Sequence, residues 1–155
     1  MCHEEYMRAA LALAKEAAAA GEVPVGCVIT GPDGRIIGRG RNRREADKSV
    51  TGHAELEAML QAEQALGNWR LDGCSLYVTL EPCPMCAGAM INARLGRLYF
   101  GARDSAMGAC GGVMNLFMEN FGHSPQIVGG ILDGACAAVL SDFFRARRQS
   151  SQGAE

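Results

Sequence analysis

Residues 75–100, SLYVTLEPCPMCAGAMINARLGRLYF, read as strand, helix and strand in immediate succession. Ser75 to Leu80 is a short run rich in β-favouring residues, and a helix from Cys83 to Ala93 begins as soon as that strand ends. Arg97 to Phe100 is the next strand. Upstream, His53 to Leu66 predicts a helix with Leu56, Met59 and Leu60 inward and Gly67 as its stop. Before that, Val23 to Thr30 and Arg35 to Arg41 read as two strands joined by the turn residues Pro32-Asp33-Gly34. The first helix runs from His3 to Ala20, with Met7, Ala10, Leu11, Ala14 and Ala17 at helical spacing and Gly21 ending it. Downstream lie an irregular segment, a weaker strand from Ile127 to Leu132, and an amphipathic helix from Asp133 to Arg148 carrying Val139, Leu140, Phe143 and Phe144. Strands alternating with helices predict an α/β fold: a mostly parallel sheet covered on both faces, with an antiparallel first hairpin.

The chain of 155 residues suffices for one domain with a real core. Hydrophobic residues make up 48% and charged residues 21%, an ordinary globular balance with mean hydropathy near zero. No uncharged apolar stretch is long enough to predict a membrane helix, and Arg8, Lys15 and Glu16 interrupt the apolar N-terminal segment. Seven cysteines, an odd number with no export signal, predict a reducing cytoplasm with some thiols used for metal. Cys2, Cys27, Cys74, Cys110 and Cys136 are scattered, and most of them are expected to be buried structural thiols. Ser150 to Glu155 is small and polar, so a single domain over 1–149 and a disordered tail over 150–155 are expected.

Net charge is −2, which excludes a chain that is basic overall. Local basic clusters remain: Arg39, Arg41, Arg43, Arg44 and Lys48, then Arg145, Arg147 and Arg148. Such patches can take phosphate, although basic residues in a last helical turn also complement the helix dipole.

Two short motifs carry the chemistry: His53-Ala54-Glu55 and Pro82-Cys83-Pro84-Met85-Cys86. Cys83 and Cys86 are three apart at the start of a helix, so their sulfurs can face one side, and the unpaired N–H groups there favour thiolates. His53 opens another helix. Two thiolates and an imidazole give zinc three ligands and leave one corner of the tetrahedron for water. Glu55 is then the candidate general acid/base, free to take a proton from that water and return it to a substrate nitrogen. A lone Cys-x-x-Cys also suits structural zinc or a redox pair, with Cys110, Cys74 or His123 as the extra ligand. Glu55 alone also reads as a first-turn helix charge. The combination, placed where a strand runs into a helix, favours an enzyme.

Through these residues the chain resembles the cytidine deaminase-like superfamily, and within it the bacterial tRNA-specific adenosine deaminase family. The resemblance spans about Glu5 to Gln149. It includes Glu22-Val23-Pro24-Val25-Gly26, Asn42-Arg43, Asn68-Trp69-Arg70-Leu71, Leu76 through Cys83, Cys86-Ala87-Gly88-Ala89-Met90, Gly101-Ala102-Arg103-Asp104 and Asp142-Phe143-Phe144-Arg145. It implies a three-layer α/β/α fold with a five-stranded mixed sheet. It further implies one zinc ion per subunit on His53, Cys83 and Cys86, Glu55 as proton shuttle, and a homodimer acting on a tRNA anticodon stem-loop. The implied reaction converts adenosine to inosine at the wobble position. Asn42 matches a base-binding asparagine, against which stands an ordinary turn asparagine. Asp104 matches a residue near the RNA sugar, against which stands an ion pair with Arg103.

The chain departs from the family pattern twice. Val50-Thr51-Gly52 replaces the usual Pro-Thr-Ala before the histidine, which predicts a looser approach to His53. Gly122-His123-Ser124 replaces an Asn-His-basic run, removing an amide and a charge. Gly108 to Gly112 reads as a mobile pocket wall or a plain turn. One rival reading keeps the chemistry on a free base or nucleoside (guanine, cytosine or cytidine). Another is a catalytically silent zinc module that binds tRNA, which would have no use for Glu55.

Overall fold

The structure, a computed structural model, describes residues 1–153. Its elements follow the order α1 (His3–Ala19), β1 (Gly26–Thr30), β2 (Ile36–Arg41), α2 (Ala54–Leu66), β3 (Ser75–Leu80), α3 (Pro84–Asn92), β4 (Arg97–Ala102), β5 (Gln126–Gly129) and α4 (Asp133–Gly153). A single 3₁₀ turn, Leu116–Met118, interrupts the long segment between β4 and β5 among the described residues. The five strands form one sheet in the order β2-β1-β3-β4-β5.

Both β1–β2 and β1–β3 are antiparallel, whereas β3–β4 and β4–β5 are parallel. The sheet is therefore evenly mixed, where alternation of strands and helices alone had predicted a mostly parallel one. The helical crossover from β3 through α3 to β4 accounts for the parallel half. Layering follows from the alternation of side chains along each strand. Cys27, Ile29, Leu76, Val78 and Leu98 point into the core shared with α2 and α3. Val28, Tyr77 and Ala102 point the other way, against α1 and α4. Helices thus cover both faces, giving three layers.

The α2–β2 packing positions the site. Ala54, Ala58 and Ala62 form a fully buried stripe on α2 at four-residue spacing. Opposite them, a Cβ on Gly38 would overlap the Ala58 carbonyl oxygen, and one on Gly40 the Ala54 carbonyl oxygen. Small residues on both sides bring the helix backbone against the strand, which turns Leu60 outward to 57% exposure instead of inward. Gln61 and Glu57 accept hydrogen bonds from the Arg39 and Arg41 N–H groups at 3.0 and 3.1 Å, covering the free side of edge strand β2. Gly40→Ala is therefore expected to destabilise the fold by about 2–3 kcal/mol through overpacking, read as a lower urea midpoint.

Several boundaries differ from expectation for local reasons. Val23 to Val25 is not strand: Pro24 has no N–H to donate, and the Val25 N–H turns back to the Val23 carbonyl. β5 ends at Gly129 because Gly130 and Leu132 adopt left-handed backbone (φ 88° and 53°). α4 continues through 150–153, where a disordered tail was expected; Ala154 and Glu155 lie outside the described residues. None of the seven cysteines is in a disulfide, and Cys27, Cys74 and Cys136 are buried as expected, while Cys2 is exposed. Among the described residues no helix is long and apolar enough to cross a membrane.

Candidate active site

Three element ends converge beside the middle of the sheet. His53 is the N-cap of α2, Cys83 is the N-cap of α3, and β3 delivers the chain to Cys83 from Leu80. Pro84 occupies the first turn of α3, where its missing N–H costs nothing. His53 Nδ1 lies 3.7 Å from Cys83 Sγ and 3.5 Å from Cys86 Sγ. All three ligand atoms lie within 4.8 Å of one another, and this is the one such cluster among the described residues.

Those separations fit zinc. With Zn–S near 2.3 Å and Zn–N near 2.0–2.1 Å, the N–S edge of a tetrahedron measures about 3.6 Å. The electrostatics agree. A hydrogen bond from the Cys86 thiol, joined by one from His53, holds the Cys83 thiol down to about 4. Cys86 is pushed far up by that same bond and by burial. Cys83 thus favours the thiolate while burial disfavours a second charge on Cys86, and a cation seated between the sulfurs would favour the thiolate on both. The bond to Cys83 raises His53.

Glu55, in the first turn of α2, is 4% exposed, and burial pushes its carboxyl up to about 7. A bound cation would act in the opposite sense. Glu55 is not part of the ligand cluster, yet it lines the same cavity of about 500 Å³ as His53 and Cys83. The other candidates for an extra ligand are elsewhere. His123 Nε2 lies 2.8 Å from the Leu95 carbonyl oxygen, and Cys74 is in the core.

Asn42 and Asp104 both line the cavity, with part of each side chain committed to backbone. Asn42 Nδ2 donates to the Val23 carbonyl at 3.2 Å, leaving one N–H uncommitted. Asp104 Oδ1 accepts from the Ala106 and Met107 N–H groups, and no ion pair joins Asp104 to Arg103, whose guanidinium lies over the Phe100 ring. Arg44, exposed at the cavity, has no carboxylate partner among the described residues. Gly52 does not loosen the approach to His53. Its carbonyl accepts from the Arg43 N–H at 2.8 Å, and a Cβ there would stand 2.9 Å from the Arg43 carbonyl carbon.

Two buried glutamates escape sequence reasoning. Glu22 accepts from the Glu45 and Ala46 N–H groups at 3.0 and 2.8 Å, holding the loop that leads to His53. Glu81 accepts from the Asp104, Cys110 and Gly112 N–H groups on the opposite wall. A glutamate after a turn or at a strand end reads as surface; their partners are 23 to 31 residues distant in sequence, and no local pattern marks them.

This fold and site define a deaminase, and the model of the MafB19-like deaminases matches residues 1–148. The tRNA-specific adenosine deaminase of Bacillus subtilis (strain 168) is 45% identical over 152 residues, 97% of this chain and 94% of that protein. The tRNA(Ile)-lysidine synthase of Deinococcus deserti is 52% identical over 143 residues; these are 92% of this chain but 27% of the synthase. A solved structure from work on A-to-I editing by tRNA:A34 deaminases at the wobble position superposes with a TM-score of 0.84 at 42% identity, covering 88% of this chain and 99% of that one. The chain belongs to the tRNA-specific adenosine deaminase family.

Proposed function

We propose that this protein hydrolyses adenosine to inosine at the wobble position of a tRNA anticodon, releasing ammonia. His53, Cys83 and Cys86 hold one zinc ion per subunit, and Glu55 moves the protons. The observation that carries this reading is the cluster of three ligand atoms at zinc-like spacing in a cavity that also contains a buried carboxylate.

When bound, zinc supplies a Lewis acid that lets water give up a proton near neutral pH. Glu55 takes a proton from the attacking water and delivers it to the ring nitrogen N1. The C6–O bond forms, the C6–N bond breaks, and Glu55 protonates the departing amine, so adenosine and water become inosine and ammonia. The place of Glu55 supports this double duty, because the carboxyl lines the same cavity as His53 and Cys83 and burial favours its taking up a proton there. A loop nucleotide is already unpaired, so everting it into the cavity costs less than opening a duplex. The uncommitted Asn42 N–H suits a purine acceptor, and Asp104 suits a ribose hydroxyl. Exposed Arg44, Arg145, Arg147 and Arg148 suit phosphate. In this reading the protein is a homodimer, as the family resemblance implies, and works in the reducing cytoplasm that its cysteine usage predicts.

Salt separates this reading from deamination of a free base. With about three phosphate contacts to a single-stranded loop, kcat/KM for an anticodon stem-loop is expected to fall ~20-fold between ~50 and ~200 mM salt. A flat salt response together with turnover of a free base would contradict it.

A further inference from the structure

Glu81 is 2% exposed and has no cation within ion-pair distance among the described residues. Its charge is held by three backbone donors. Oε1 accepts from the Asp104 N–H at 3.1 Å; Oε2 accepts from the Cys110 and Gly112 N–H groups at 2.9 and 2.8 Å. Hydrogen bonds to an ionised acceptor in a buried site are about twice as strong as neutral ones. The loop is shaped to receive this carboxylate. A Cβ on Gly108 would overlap Glu81 Oε2, and a Cβ on Gly112 would overlap the Asp104 carbonyl oxygen and stand 2.9 Å from Glu81 Oε1.

The two ends of this contact differ in role. Glu81 precedes the Pro82-Cys83 step into α3, and its own N–H is fixed to the Ala102 carbonyl at 2.8 Å. The loop it holds carries Asp104 and Met107, which line the cavity facing His53 and Glu55. A second tie, from the Ala109 N–H to the Pro82 carbonyl at 2.8 Å, runs beside it.

We propose that Glu81 is a positioning residue: it locks the 104–112 wall to the cysteine segment, so that the substrate-facing side chains of that wall keep a fixed distance from the metal ligands. The proposal deepens the deaminase reading and depends on it for the identity of the substrate. Glu81 itself moves no proton. Its loss should weaken substrate binding and leave the chemical step nearly intact.

The test compares Glu81→Gln, Glu81→Asp and Gly108→Ala with wild type in the zinc-loaded protein. Glutamine points an NH₂ group at N–H donors, while Gly108→Ala keeps the charge but drives a Cβ into Glu81 Oε2 and the Asp104 carbonyl oxygen, which parts carboxylate and wall. Both are expected to raise KM for an anticodon stem-loop ~10-fold or more with kcat within ~3-fold, as for lost ground-state positioning. Zinc content stays at that of wild type. Amide exchange at Asp104, Cys110 and Gly112 is expected to accelerate ~10-fold or more, with Glu81→Asp intermediate because it keeps the charge but loses reach. Unchanged exchange, faster exchange with unmoved KM, or a fall in kcat alone would each overturn the proposal. Should wild type ignore the stem-loop yet release ammonia from a free base, the substrate assignment fails. The same KM split on that base, with the exchange data, then decides the role of Glu81.

Discussion

Glu55→Ala is expected to lower kcat by at least ~100-fold, the low end for removal of a general acid/base, with zinc still bound. The carboxylate is not among the atoms that cluster as ligands, so its loss leaves His53, Cys83 and Cys86 in place. Nor should the fold suffer. Glu55 lies in the first turn of α2 between Ala54 and the rest of a helix rich in alanine, and alanine is the best helix former. Burial opposes the ionised carboxylate, as its upward displacement to about 7 records. In the chelated protein, where no cation offsets that cost, the Tm of Glu55→Ala is expected to match or exceed that of wild type. Turnover and metal content measured on one preparation check both halves, and near wild-type turnover would end the mechanism.

Cys83→Ala and Cys86→Ala are expected to abolish turnover together with stoichiometric zinc. Loss of a partner one step removed from a metal already costs about 10–100-fold in affinity, and loss of a thiolate ligand should cost more. Both sulfurs lie within ligand distance of His53 Nδ1, at 3.7 and 3.5 Å. With one sulfur gone, the remaining pair offers neither charge balance nor a third tetrahedral edge. Thermal unfolding supplies an independent reading, since a metal that binds only the folded state raises Tm. Wild type should lose Tm on chelation, whereas the cysteine variants should start low and show no response to chelator. Wild-type zinc content and rate in Cys83→Ala would remove the metal site from the account.

The zinc-spaced cluster was legible in the sequence because each half is local. Cys83 and Cys86 are one helical turn apart at a helix start, and His53 opens another helix, so strand-to-helix patterning alone suggests convergence. β3 was legible to the residue, since Ser75–Leu80 has buried side chains on both faces and the β-rich run is continuous. What escaped depended on backbone meeting backbone. The antiparallel β1–β3 pairing has no local signature. Leu60 was expected inward because a leucine at helical spacing suggests a core, but contact between an alanine stripe and Gly38 and Gly40 rotates α2 away from it. Gly52 suggested looseness and instead makes close backbone contact with Arg43. Glu22 and Glu81 act on N–H groups supplied by distant loops, so their burial is visible only in three dimensions.

The central claim is the pairing of this site with a tRNA wobble adenosine. Its most direct test is inosine formation in an adenosine-containing anticodon stem-loop by wild type and Glu55→Ala, beside ammonia release from free adenosine, guanine, cytosine and cytidine. Inosine is expected with wild type, none above background with Glu55→Ala, and little ammonia from the free compounds. Rapid ammonia release from a free base with an untouched stem-loop would contradict it.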